Sequence, residues 1–383
     1  MLTPELLIKL LFSAVLSVVL GYGLTPLVKK LAPVIGAMDI PKDERRMHSH
    51  PIPRIGGLAI YTAFLISSLI FSGLDMKTVG ILVGSLLIVV TGVFDDIKTL
   101  SPKVKFLCQF IAAAVTVAFG VRIQCPAGLF TAQTRTVIDV LLVPVTVLWI
   151  VGVTNAVNFI DGLDGLACGV SSIASAAMLV ASLCVSGGNI AVPVLLVSLL
   201  GGCLGFLPFN FNPATIFMGD TGALMLGFVL SGASVVSFFK FDLFVTFLVP
   251  VLILGHPIID TLCAIIRRLR RGVSPFAADR GHIHHKLIDC GLSVKQAVSV
   301  LYTVSAVLGV LSVTLLRFSV FQIILLVLVT GGAVYVDYTL LKGKKLFSKA
   351  EESTPAKKSG KSTANTQKKN TNPNTKKKKN KKK

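Results

Sequence analysis

Nothing constrains this 383-residue chain more than the length of its apolar runs. A helix that crosses a hydrocarbon core of about 30 Å at 1.5 Å per residue needs about 20 predominantly apolar residues. Eleven such runs lie near residues 5–28, 55–74, 78–94, 104–121, 136–154, 163–185, 189–207, 221–240, 242–266, 295–316 and 319–340. Membrane barrels use shorter strands with alternating polarity, so run length selects helices. Composition agrees: 53% of residues are hydrophobic and 15% charged, where soluble domains carry about 25% charge. The expected fold is an all-α polytopic membrane protein with about eleven transmembrane helices. Residues 1–341 form the membrane domain, and 342–383 a Lys-rich, disordered tail. The apolar start (Leu6 to Leu24) lacks a basic leader and a cleavage site, which favours a first membrane helix over a removed signal.

The net charge of +20 is unevenly placed. Residues 342–383 hold sixteen Lys against Glu351 and Glu352, which gives +14 and leaves +6 for the rest. This is not a nucleic-acid footprint, and no nucleic-acid partner is expected. The tail has too little apolar surface to bury a core; it is either a solvated charge run or a contact for anionic lipid headgroups. Basic residues mark the cytoplasmic side of membrane helices. Lys29, Lys30, Lys42, Arg45, Arg46 and Arg54 fall in one connection, and Arg267, Arg268, Arg270, Arg271, Arg280 and Lys286 in another on the same side. The opposite connections hold only Lys77, Arg122, Arg135, Lys240 and Arg317. The N-terminus is therefore expected outside and the C-terminus in the cytoplasm. The seven cysteines are odd in number and form no C-x-x-C pair, so they read as small buried hydrophobes.

The inward connections also hold the polar chemistry. Asp95-Asp96 closes one run, and Asn155 to Gly165 contains Asn158, Asp161 and Asp164. Phe217-Met-Gly-Asp220 opens another run, and Asp279 to His285 carries His282, His284 and His285. Transporters place ionisable groups near the bilayer midplane, whereas these sit where helices meet loops at one rim. Carboxylates gathered on one face repel unless a cation lies among them, which suggests Mg²⁺, with Mn²⁺ as a substitute. Magnesium suggests phosphate, and Arg forks match phosphate oxygens. Duller readings stand beside these: Asp95-Asp96 as a solvated loop, and Arg267 to Arg271 as a positive-inside anchor. Asp-Gly-Leu-Asp-Gly lacks the spacing and closing Glu of an EF-hand. The three histidines have no Cys or second His pair nearby to complete a zinc site. His48, His50 and His256 read as structural, and Asp260, inside an apolar run, as an intramembrane acid with a pairing or functional role.

Six stretches together carry a resemblance. They are His50 to Gly57 (His-Pro-Ile-Pro-Arg-Ile-Gly-Gly), Gly92 to Asp96, Lys105 to Gln109, Thr154 to Gly165, Asn210 to Gly222, and Ser274 through His285. In this order the chain resembles the polyprenyl-phosphate N-acetylhexosamine-1-phosphate transferases, the family that also contains phospho-MurNAc-pentapeptide transferase. The Arg-rich stretch before His282-Ile-His-His285 is similar to the branch that uses UDP-N-acetylhexosamines, including the bacterial enzymes that start wall teichoic acid. The resemblance implies UDP-GlcNAc and undecaprenyl phosphate as substrates at the cytoplasmic face of a bacterial plasma membrane, with a homodimer as one admissible assembly. It implies Mg²⁺ on Asp220, with Asn158 as a second contact, and Asp95 and Asp96 beside the lipid phosphate with Lys105 neutralising charge. Asp161, Asp164 and Asn210 would belong to the nucleotide and metal pocket, and Phe217 would stack on uracil. Arg268, Arg271, His282, His284 and His285 would hold the diphosphate and sugar. The alternatives are the pentapeptide branch and, from another class, a membrane transporter or flippase.

Overall fold

The computed structural model describes residues 3–40, 50–125, 130–185, 190–238, 245–274 and 281–316. Among them twelve helices follow one another, and a two-residue strand pair lies between the first and second. They are α1 (Pro4–Ile35), β1 (Met38–Asp39), β2 (Ile52–Pro53), α2 (Gly57–Phe71), α3 (Met76–Ile97), α4 (Pro102–Ala118), α5 (Ala132–Phe159), α6 (Leu166–Val185), α7 (Ala191–Asn210), α8 (Gly219–Phe238), α9 (Val245–Ile253), α10 (Gly255–Arg270), α11 (Ile283–Asp289) and α12 (Val294–Leu315). Local chemistry sets many of these ends. Thr3, Asp75, Ser101, Thr131 and Ser293 each accept a backbone N–H as N-caps, which satisfies a donor that the helix leaves orphaned.

Every expected run within the described residues folds as helix. Seven helices (α1, α3, α5, α6, α7, α8 and α12) are long and apolar enough to cross a membrane, or eight if α9 and α10 count as one span. The run at 242–266, expected as one span, is divided into α9 and α10 with a bend of 80° between them. The polar stretch expected as a connection from 267 starts inside helix, because α10 continues to Arg270. α2 and α4 have 15 and 17 residues, short of the expected 55–74 and 104–121. The span expected at 319–340, the boundary at 341/342, the tail, Lys42, Arg45, Arg46, His48, Asp279 and Arg280 lie outside the described residues.

At the centre stands α8, whose apolar stretch is buried all round. α2, α3, α5, α6, α7 and α9 pack against it. α1 and α5, by contrast, expose apolar side chains such as Leu11, Val19, Val140 and Leu148, the surface a hydrocarbon solvent accepts. Association of helices in lipid relies on close backbone approach and interhelical hydrogen bonds, and both are present. A Cβ on Gly57 would collide with the backbone of Gly222, and one on Gly92 with that of Thr221. Ser13 Oγ lies 2.9 Å from Ser67 Oγ and 2.7 Å from Ser198 Oγ, joining α1, α2 and α7. Trp149 Nε1 donates to Ser234 Oγ at 3.0 Å, joining α5 to α8.

The strand pair aligns Met38 with Pro53 and Asp39 with Ile52. The chain beyond it is then stitched to the approach to α8. Phe217 N donates to the Pro53 carbonyl at 2.7 Å, Gly56 N to Phe217 at 2.9 Å, and Gly57 N to Met218 at 2.8 Å. These bonds carry the segment around Arg54 to the N-terminus of α8. Because Gly57 meets backbone rather than a flexible side chain, Gly57→Val should cost at least about 1–3 kcal/mol by overpacking. A thermal unfolding midpoint in detergent would test it, and an unchanged midpoint would mean that α2 and α8 do not approach this closely.

Candidate active site

Three carboxylates from two helix ends meet: Asp95 and Asp96 in the last turn of α3, and Asp220 in the first turn of α8. One oxygen from each lies within 4.8 Å of the others. Asp96 holds the two helices together. Its Oδ1 accepts from Asp220 N at 3.0 Å, and its Oδ2 from Thr221 N at 3.0 Å and Thr221 Oγ1 at 2.6 Å. It thus caps α8 from another helix, placing negative charge where the helix dipole favours it. Gly219 makes the approach feasible. Its φ of 70° is left-handed, and a Cβ there would collide with Asp96 and the Arg54 carbonyl.

Two cations face the acids. Lys105 Nζ donates to Asp220 Oδ2 and sits beside Asp95 Oδ2, 2.7 Å from each. Arg54 Nη2 lies 3.1 Å from Asp96 Oδ1 and 3.9 Å from Asp220 Oδ1, and Arg54 Nε donates to Asp96 at 3.2 Å. Asp95 Oδ1 also accepts from Leu100 N at 2.7 Å, which ties down the turn before α4. Asn158, near the end of α5, donates to Asp220 Oδ1 at 3.4 Å. One turn earlier Asn155 pairs with Gln109 of α4 through its Nδ2 at 2.5 Å.

A second group forms around the end of α5. Phe159 lies 6.2 Å from the His282 ring and has the Arg268 guanidinium 5.9 Å above it. His282 and His284 are stacked at 5.6 Å, and His285 lies 4.3 Å from His284. His284 presses on the loop after α5, where a Cβ on Gly162 would collide with its Nε2. Asp161 stands next to Gly162 in this loop, within electrostatic reach of Asp220 and Asp96. Part of its surface is open, yet surrounding protein desolvates the carboxyl, which is pushed up to about 7 with further contributions from Asp220 and Asp96. His284 is pushed down to about 4, first by burial and then by His285 and His282, and is therefore a neutral ring at neutral pH.

The remaining expected residues take other places. Asp164 Oδ2 accepts from Asn212 Nδ2 at 2.8 Å and Ala214 N at 3.0 Å, and Asn210 Nδ2 donates to the Ile216 carbonyl at 3.0 Å. Both shape the loop that leads to Phe217 and Asp220. Phe217 is partly exposed at the end of that loop, and Arg271 is exposed at the C-cap of α10. Three residues escaped the sequence reading as members of the site. Arg54 lies inside the Pro-Arg-Ile-Gly-Gly stretch, where a cation before two glycines was the available signal. Thr221 and Phe159 lie inside the stretches Asn210 to Gly222 and Thr154 to Gly165, but neither side chain by itself points to this chemistry.

Whether the acids fit a metal turns on their remaining lone pairs. Asp96 already receives five donor contacts, more than the roughly four lone-pair sites of a carboxylate. Asp95 and Asp220 each turn an oxygen to the same cation, so the donor set fits a hard, oxygen-seeking ion at those two, with the Asn158 amide beside them.

Buried acids and cations gathered at the ends of apolar helices are the marks of a membrane-embedded enzyme of phosphate chemistry. Residues 78–238 match the model of a family described as Glycosyl transferase family 4. The chain is 39% identical over 313 residues to a probable undecaprenyl-phosphate N-acetylglucosaminyl 1-phosphate transferase of Bacillus subtilis, covering 81% of this chain and 86% of that protein. It is 37% identical over 314 residues to a decaprenyl-phosphate N-acetylglucosaminephosphotransferase of Mycolicibacterium smegmatis, covering 74% and 76%. A phospho-N-acetylmuramoyl-pentapeptide-transferase of Rippkaea orientalis is 30% identical over 345 residues, covering 81% and 87%. The chain belongs to this family of polyprenyl-phosphate sugar-1-phosphate transferases.

The raised Asp161 gives a pH test. Its folded value of about 7 exceeds the ordinary 3.8, so the folded chain holds this proton more tightly than the unfolded chain. Stability contributed here falls as pH rises between those values. In EDTA, Asp161→Asn should unfold at a higher temperature than wild type at pH 8, with the difference closing toward about pH 4. A lower midpoint for the Asn variant at pH 8 would show that the fold requires the carboxylate.

Proposed function

We propose that this protein transfers GlcNAc-1-phosphate from UDP-GlcNAc to undecaprenyl phosphate, giving the lipid pyrophosphate-linked sugar and UMP. One observation carries the reading. Asp95, Asp96 and Asp220 outnumber Lys105 and Arg54 three to two, so the cluster is net negative before any substrate arrives. A nucleotide diphosphate and a lipid phosphate bring more negative charge, which a divalent cation held by acids would balance. The names of the relatives supply the acceptor and the sugar. We take the membrane to be a bacterial plasma membrane, crossed about eleven times, with the basic connections and the site on the cytoplasmic side. The product would feed cell-wall glycopolymer synthesis of the teichoic acid kind.

In this reading Asp220 and Asp95 hold Mg²⁺ with Asn158 beside them, and the ion supplies charge neutralisation at the transferring phosphoryl group. Asp96 keeps α3 and α8 in register, and Arg54 and Lys105 steady the carboxylates and meet phosphate oxygens. Phe217 stacks on the uracil ring, while Arg268 and the histidines of α11 hold the diphosphate and sugar. An oxygen of the lipid phosphate attacks the β-phosphorus of UDP-GlcNAc. A new P–O bond forms as the bond to the α-phosphate oxygen breaks, and UMP leaves with that oxygen. A phosphate monoester has a second pKa of about 6 and is largely dianionic at pH 7, so Asp95 orients the nucleophile more than it deprotonates it.

Vesicles containing the purified chain, undecaprenyl phosphate, Mg²⁺ and labelled UDP-GlcNAc should pass label into lipid and release UMP, and EDTA should stop the reaction. Label passing only from UDP-MurNAc-pentapeptide would move the protein to the other branch, and no transfer from either donor would overturn the reading. Asp220→Asn should lower turnover by orders of magnitude in a folded protein; near-normal turnover at low Mg²⁺ would remove Asp220 from the metal site. Initial-rate kinetics should require both substrates bound together, whereas a sugar phosphate trapped on a carboxylate would replace direct attack by a two-step route.

A further inference from the structure

Three acids are buried among the described residues. Asp95 and Asp96 belong to the carboxylate cluster, and the third, Asp260, does not. It lies on α10, on the face that also buries His256, Ala264 and Arg268 at helical spacing, while Ile259, Leu262, Ile266 and Leu269 of the same helix are exposed. Asp260 is 1% exposed, and an acid sealed off to that degree needs partners. It has two, one for each oxygen. Oδ2 lies 2.7 Å from His282 Nδ1, and Oδ1 accepts from the Ile283 backbone N–H at 2.8 Å.

The two bonds do different things. The one from Ile283 anchors the start of α11 on α10. The one to His282 governs a ring. An ionised carboxylate only accepts, so Nδ1 carries the proton that it donates. Nε2, on the opposite edge, is then the ring nitrogen whose proton depends on what it meets. Carboxylate–imidazole pairs that fix a ring's tautomer and plane recur wherever an imidazole must present one nitrogen reproducibly. The stacked His284 ring, 12° from parallel, and Phe159 limit the tilt of the same ring.

We infer that Asp260 is a positioning residue, which acts through Nδ1 of His282 so that Nε2 is presented to the diphosphate of the sugar-nucleotide donor. The inference rests on the transferase reading above. It makes α10 part of the donor site although Asp260 touches no substrate. It also accounts for an acid on the buried face of α10, opposite the apolar side chains that the helix exposes.

Asparagine separates the two bonds. Its carbonyl oxygen can still accept from Ile283, but its NH₂ faces Nδ1 and forces the proton to the other nitrogen or breaks the contact. In the vesicle assay with wild-type transfer established, Asp260→Asn should raise KM for UDP-GlcNAc at least tenfold and leave KM for undecaprenyl phosphate within twofold. In a His282→Ala background, the same substitution should change the donor KM less than twofold. His282→Gln, which offers a donor near the Nε2 position without the bond to Asp260, should also raise the donor KM at least tenfold, and it serves if Asp260→Asn does not fold. Equal effects in the two backgrounds, matched rises in both KM values, or an unchanged donor KM in either single variant would overturn the positioning role. Absence of transfer by the wild-type chain would overturn the transferase reading and this role with it.

Discussion

Asp96 receives donors from the Arg54 side chain, from the backbone of Asp220 and from both the backbone and hydroxyl of Thr221. Through one carboxylate it joins the segment before α2, the end of α3 and the start of α8. An isolated buried carboxylate is costly, and one that caps a helix and meets a guanidinium recovers that cost through charge-assisted hydrogen bonds. The rest of the site follows from this junction. It sets Asp220 against Lys105 and Asn158, and it holds Gly219 in its left-handed turn. It also brings Arg54 into a centre that lies far from it along the chain.

Much of this was legible because apolar runs and acids are easy to see together. Asp95, Asp96 and Asp220 stand at the ends of long apolar runs on one expected side, and the structure brings these three together. Spacing could not show how side chains are used. Asp164 and Asn210 are expected in the nucleotide and metal pocket, and spacing does not show that both hydrogen-bond to the loop before α8. Arg54 sat in a stretch without periodicity, and only its backbone stitching to Phe217 and Met218 reveals why it reaches the acids. The break between α9 and α10 was hidden because proline is tolerated in membrane helices, so Pro250 and Pro257 did not interrupt the apparent run. The extension of α10 to Arg270 was missed for a related reason: arginines end a hydropathy run without ending a helix.

The site combines two kinds of construction. Its acidic floor rests on backbone: Gly57 against Gly222, Gly92 against Thr221, and Gly219 against the Arg54 carbonyl. Its other side is made of rings and a guanidinium from α10 and α11, packed on Phe159 and Gly162. Backbone contacts of the first kind have no rotamers to change, whereas side chains of the second kind can be exchanged for others of different shape.

That contrast has a bearing on how such enzymes diverge. A floor of touching main chains accepts little substitution, so on the function proposed above a change of donor would fall on the wall and not on the floor. Relatives named for a GlcNAc phosphate and for a MurNAc-pentapeptide would then share the acids of α3 and α8 and part company along α10 and α11. On that reading the Gly162 loop, where His284 meets the chain after α5, would be the seam between the two halves.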